Sequence, residues 1–193
     1  MKKFYLTLLA VFVYVMLSSQ EMSTGVNFLS FGLGPSVNYW TVYHSGGTPA
    51  IRIMLDHGFK KAGPGTVTLG GSLGFFTKYY KSNYIDKGYV YNYRWNWTYI
   101  STVFRAGYYY NLKEADIPDM NVYGGLGAGL LFSSFKYKYD NPNHPPMTVD
   151  EGGTDFILNL YVGANYFLTS KAAIFLEFGY DISYATVGLT IKL

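Results

Sequence analysis

The chain contains no cysteine. Disulfide frameworks and thiolate metal sites are therefore excluded. Charge is scarce as well: 14% of the residues are Asp, Glu, Lys or Arg, against roughly 25% in an ordinary soluble domain. A disordered chain would be richer in charge and poorer in aromatics. Here aromatics reach 20%, with 21 Tyr and 14 Phe, and Gly adds 22. Histidine is limited to His44, His57 and His144. None of them pairs with another at metal-ligand spacing, so no metal and no cofactor are expected. The formal charge of +3 includes Lys2 and Lys3, which precede the first acid, Glu21. The remainder is nearly neutral, which gives no reason to expect nucleic-acid binding.

Long hydrophobic runs are absent except for one, residues 4–17. It is shorter than the ~20 residues a spanning helix needs. Lys2 and Lys3 precede it, and Ser18 and Ser19 follow it. That order is the order of an export signal. The expected organisation is a cleaved signal peptide, 1–19, followed by one domain, 20–193. No cysteine follows the leader, so a lipoprotein anchor at that junction is excluded.

What the remainder has is alternation. Eight stretches place apolar and polar or small residues on opposite sides with a period of two, the period of a β-strand. They are 26–36, 50–59, 66–80, 95–110, 121–137, 155–167, 172–180 and 185–193. In the fifth, Val122, Leu126, Ala128, Leu130 and Phe132 oppose Gly125, Gly127, Gly129 and Ser133. In the last, Val187, Leu189, Ile191 and Leu193 oppose Gly188, Thr190 and Lys192. The connections 37–49, 81–94 and 138–154 are long, whereas 60–65 and 168–171 are short. The connection 181–184 is short where that parity calls for a long one. The segment 140–146, with three prolines, is expected to be irregular.

An even number of strands, with long loops on one rim and turns on the other, is the layout of a transmembrane barrel. The fold expected is an all-β, eight-stranded, antiparallel up-and-down barrel. In a bilayer its apolar face points outward and its polar face inward. The polar face carries both signs of charge: Arg52, Asp56, Lys78, Arg105, Asp155, Glu177, Asp181 and Lys192. An unpaired buried charge is costly, so these are expected to form a structural network inside the barrel. Aromatics collect near both expected rims. Tyr79, Tyr80, Tyr84, Tyr89, Tyr91, Tyr93, Trp95 and Trp97 surround the second long loop, with Tyr137 and Tyr139 beside the third. Tyr108, Tyr109, Tyr110, Tyr166 and Phe167 lie at the other rim. Two interfacial belts fit this placement, with loop aromatics packing on one another as the alternative.

The leader, the eight runs and the terminal strand Thr186-Val187-Gly188-Leu189-Thr190-Ile191-Lys192-Leu193 resemble the small outer-membrane β-barrel family that includes OmpX and the transmembrane domain of OmpA. The resemblance is one of pattern over the whole mature chain. It departs from the family at the last residue, Leu193, where an aromatic is usual. It implies a bacterial outer-membrane location, outer-membrane lipids and lipopolysaccharide as surroundings, insertion by the barrel assembly machinery, and a monomer.

The function expected is non-enzymatic, structural or interactive at the cell envelope. The alternatives are a narrow channel or a lipid A-modifying enzyme. The enzyme would need a set such as His44 or His144, with Ser45 or Ser36, and Asp181. Lys78, Lys81, Lys87 and Arg94 among tyrosines suit lipopolysaccharide phosphates, and Asp150, Glu151 and Asp155 suit cations.

Overall fold

A computed structural model describes residues 21–37, 45–86, 89–141 and 144–193. The expected leader, His44 and Lys87 lie outside the described residues. Eight long strands form the wall: β1 Asn27–Gly34, β3 Ala50–Ala62, β4 Gly65–Asp86, β5 Tyr89–Asn111, β6 Met120–Asn141, β7 His144–Phe167, β8 Ala172–Tyr180 and β9 Ala185–Lys192. A two-residue strand, β2 Gly46–Gly47, pairs with the upper part of β4. Every wall strand pairs antiparallel with the next. The wall closes where β1 meets β9, from Phe28 opposite Lys192 to Leu33 opposite Val187. β1 also pairs with β3. Pairing of the first wall strand with the last closes the sheet on itself, as a lipid-embedded sheet requires. Among the described residues, no helix is long and apolar enough to cross a membrane.

The connections follow from local chemistry. The turn between β3 and β4 has Gly63 at φ +59°, where a side chain would be strained. After β5, a short 3₁₀ helix Leu112–Ala115 is capped by the Asn111 side chain, which accepts from the Lys113 N–H.

The alternation places the faces. Ile53, Leu73, Phe104, Leu130, Leu158, Leu176 and Leu189 are exposed on the outside. Arg52, Thr68, Ser72, Ser101, Arg105, Asn159 and Glu177 are buried inside. This inversion is the polarity of a bilayer-embedded barrel.

Two expected loops are strands instead. Residues 81–86, 89–94, 138–141 and 144–154 continue β4, β5, β6 and β7, whose pairing runs on to Asp86–Tyr89 and Asn141–His144. The alternation persists there, but polar residues and aromatics take the place of aliphatics, so the pattern read as loop. The expected irregular segment 140–146 is crossed by strand up to Asn141 and again from His144. β7 meets β8 only from Leu160 onward. Its upper part is therefore an edge strand, which tolerates Pro145 and Pro146. β4 to β7 have 22 to 24 residues each, against 8 to 13 for β1, β3, β8 and β9. Half the wall thus stands above the rest as a four-stranded sheet.

Candidate functional site

The barrel interior is layered. At the inner end, Met22 from the segment before β1 packs with Phe28, Tyr109, Tyr123, Tyr161, Phe167 and Ala173. The Met22 carbonyl accepts from the Thr66 hydroxyl at 2.9 Å, which fastens that segment across the mouth. Tyr109 and Phe167, expected in the inner aromatic belt, point inward and fill this layer, because they fall on the interior parity of their strands. Tyr108 and Tyr166 do face outward.

The middle layer is charged. Arg105 donates to Glu177 through Nη1 to Oε1 at 3.1 Å and Nη2 to Oε2 at 2.7 Å. Arg52 Nη1 donates to the same Oε1 at 2.7 Å, and its Nη2 donates to Asp181 Oδ1. Asp56 lies 3.6 Å from Arg105 Nε and accepts from the Tyr109 hydroxyl at 2.9 Å. The Arg105 guanidinium covers the Tyr161 ring at 3.8 Å. In a dry site a charge needs such multiple partners, since its desolvation is several kcal/mol.

Above that layer, Val37, Ala50, Phe76, Tyr99, Val103, Leu131, Ile157 and Ile182 form an apolar plug. Asp181, Ile182 and Ser183 belong to the short connection after β8. That connection folds into the barrel, which explains why it is short on the long-loop rim. Asp181 thereby reaches Arg52, and Ile182 is fully buried.

Of the eight charged residues singled out from the sequence, five meet: Arg52, Asp56, Arg105, Glu177 and Asp181. Three do not join them. Lys78 is buried, but its Nζ donates to the Ser36 carbonyl at 3.4 Å, near the outer mouth. Asp155 has the interior parity but is exposed, because β7 there stands above the end of β8. Lys192 is half-buried at the opposite rim, close to Glu21. Of the set considered for lipid chemistry, the His44 and His144 side chains lie outside the described residues, and Asp181 is engaged by Arg52 and the Ser183 N–H. Ser45 exchanges hydrogen bonds with the Lys81 backbone.

The sheet above the barrel has two unlike faces. Its concave face continues the interior parity and reads, row by row across β4, β5, β6 and β7: Lys78, Trp97, Phe135, Glu151; then Tyr80, Trp95, Tyr137, Val149; then Ser82, Tyr93, Tyr139, Met147. Tyr84 and Tyr91 face each other one row higher. The rings touch across strands: Tyr80 to Trp95 at 5.1 Å, Trp95 to Tyr137 at 5.3 Å, Tyr93 to Tyr139 at 5.0 Å and Trp97 to Phe135 at 5.5 Å between centroids. These aromatics were expected as an interfacial belt, with packing on one another as the alternative. They pack instead on one another on the face turned away from lipid, because they carry the parity of the barrel interior. At the base of this wall a cleft of about 280 Å³ is bounded by Trp97, Tyr99, Ser133, Phe135, Glu151 and Gly153.

The convex face continues the apolar exterior. Above the row Phe75, Ile100, Phe132, Thr154 comes a polar row, Thr77, Thr98, Ser134, Gly152. Two rows above it, Lys81, Arg94 and Lys138 stand side by side on three strands. Lys136 pairs with Asp150 at 2.9 Å between them. Like charges directly opposite destabilise a sheet unless something else compensates them.

No family model matches the chain, and no curated protein matches it at a significant level. Among solved structures it is similar to Ail, the attachment invasion locus protein of Yersinia pestis, at 13% identity over 88% of this chain and 95% of that chain, with a TM-score of 0.46. The complex of Ail with the heparin analogue sucrose octasulfate gives 14%, 86%, 92% and 0.43. Ail in a phospholipid bilayer nanodisc gives 17%, 88%, 99% and 0.44. The closed register of β1 through β9, not this likeness, establishes the barrel.

Proposed function

We propose that the chain is an outer-membrane β-barrel of a Gram-negative envelope, with a structural and surface-interaction role and no catalysis of its own. The leader 1–19 directs export, the barrel assembly machinery inserts the domain 20–193, and the monomer is the working unit. One observation carries this reading: the apolar outer band ends on β4, β5 and β6 at the row Thr77, Thr98, Ser134, and on β7 one row lower, at Thr154. From Val67 to Phe75 it spans a strand length close to the ~9–11 residues of a tilted membrane strand. The Lys81, Arg94 and Lys138 row then falls at headgroup level, where phosphates of lipopolysaccharide compensate its charge.

The layered interior supports a silent barrel over a channel. A continuous water path has to pass the Met22 layer, the ion-paired layer and the Ile182 plug. Refolded protein in planar bilayers tests this. The expected record is a well-folded preparation without steady conductance. Regular, protein-dependent current steps would establish the channel reading. Lipid A mass spectra from cells with and without the protein are expected to match, and a changed acyl pattern would establish the enzyme.

A further inference from the structure

The concave aromatic face has a charge bias that the barrel does not need. Among the described side chains of that face above the Lys78 row, none is Lys or Arg. Lys78 itself is buried, with its ammonium turned to the Ser36 carbonyl. On the opposite flank, Glu151 and Asp155 of β7 are exposed, share this face, and enter none of the ion pairs seen among the described residues. Above the Lys78 row, the described basic residues of the sheet, Lys81, Arg94, Lys136 and Lys138, lie on the other side, on the convex face. Half-exposed Tyr and Trp rings present negative faces to the same space. Rings with adjoining carboxylates attract ammonium and guanidinium groups and repel anions.

We propose that this face binds an extended basic peptide segment. The cleft of about 280 Å³ between Trp97, Phe135 and Glu151 takes one Arg or Lys side chain. Asp155 is four residues from Glu151 along one strand, roughly 13 Å at ~3.3 Å per residue. Two cations four residues apart on an extended chain match that span, whereas a single small ammonium ion does not. The ring wall from Trp97 through Tyr93 to Tyr84 lies over further side chains of the same segment. The proposal rests on the reading above only in placing the rows from Lys78–Glu151 upward beyond the apolar band; Asp155, one row below Phe75–Thr154, opens to the same space past the end of β8.

The test uses full mature protein in phosphatidylcholine nanodiscs, whose headgroups carry no net charge. Fluorescence anisotropy follows a labelled Ser/Thr peptide with Arg at every fourth position, and the same peptide with Gln for Arg. The Arg peptide is expected to bind and the Gln peptide to bind much more weakly. The double variant E151Q/D155N should lose about fivefold in affinity, the scale of two exposed ion pairs, and Tyr93→Leu about threefold. The convex variant K81Q/R94Q should bind as the parent does. Equal binding of both peptides, unchanged binding by the double variant, or stronger binding of a neutral glucan or an acidic peptide would overturn the proposal. Heat-modifiable electrophoretic mobility separates the two readings. A chain that fails to insert defeats the membrane barrel, while an inserted chain that ignores the peptide defeats only the peptide site.

Discussion

Arg105 and Glu177 form a two-point ion pair at the centre of the barrel, with both guanidinium Nη atoms on both carboxylate oxygens at 2.7 and 3.1 Å. Arg52 shares that carboxylate, so one acid on β8 holds two cations from β3 and β5. The pair is 1% exposed on each side.

Removing the shared charge should be the costliest conservative change inside the barrel. Glu177→Gln leaves two buried guanidiniums short of a counter-ion, at about 3–5 kcal/mol. Asp56→Asn keeps an acceptor for Tyr109 and leaves Arg105 on Glu177, so about 1–3 kcal/mol is expected. Urea unfolding of the refolded barrel in detergent measures both. Equal midpoints for the two variants would contradict the central place given to Glu177.

The lipid face can be probed with a single arginine. Leu158 is exposed in the row Gly71, Phe104, Ala128, Leu158, near the middle of the apolar band. Leu158→Arg should cost ~2–4 kcal/mol in lipid vesicles, and Thr98→Arg, at the upper limit of that band, ~0–1 kcal/mol. The absence of that depth dependence would show that this surface does not face hydrocarbon.

Two glycines give opposite expectations. A Cβ on Gly188 would fall on the Phe31 carbonyl oxygen across the β1–β9 seam, with Phe175 behind it. Backbone cannot step aside there, so Gly188→Ala should destabilise by about 1–3 kcal/mol. A Cβ on Gly71, on the outside, would have only the Val103 carbonyl at 3.5 Å, an ordinary contact. Gly71→Ala is therefore expected to leave the urea midpoint unchanged or slightly raised.

The cation row should respond to anionic lipid. Neutralising Lys81, Arg94 and Lys138 to Gln removes a cross-strand repulsion, so the triple variant should be no less stable than the parent in zwitterionic vesicles. In vesicles with phosphorylated, anionic headgroups the parent should gain stability and the triple variant should not. A parent indifferent to headgroup charge would remove phosphate from the account of this face.

Much of the barrel was legible because strand alternation is local. Each residue's neighbours in sequence decide whether it faces in or out, so Arg52, Arg105 and Glu177 were assignable to the polar side without any partner. The partners were not legible. Glu177 is 125 residues from Arg52 and 72 from Arg105, and no periodicity fixes the stagger of strands around a closed wall. Asp155 shows the limit: its parity was right, but only the length of β8 decides whether that position is covered.

The outer sheet shows the same division. The sequence by itself determined a cysteine-free chain with eight alternating stretches and an apolar face long enough for a bilayer. Only tertiary structure decided that residues 81–86, 89–94, 138–141 and 144–154 are strands, since their ladder bonds are supplied by each other and not by local composition. It also decided that the aromatics turn inward from lipid while Lys81, Arg94 and Lys138 line up outside. A one-residue change of parity reverses both, and register is set across strands, not along them.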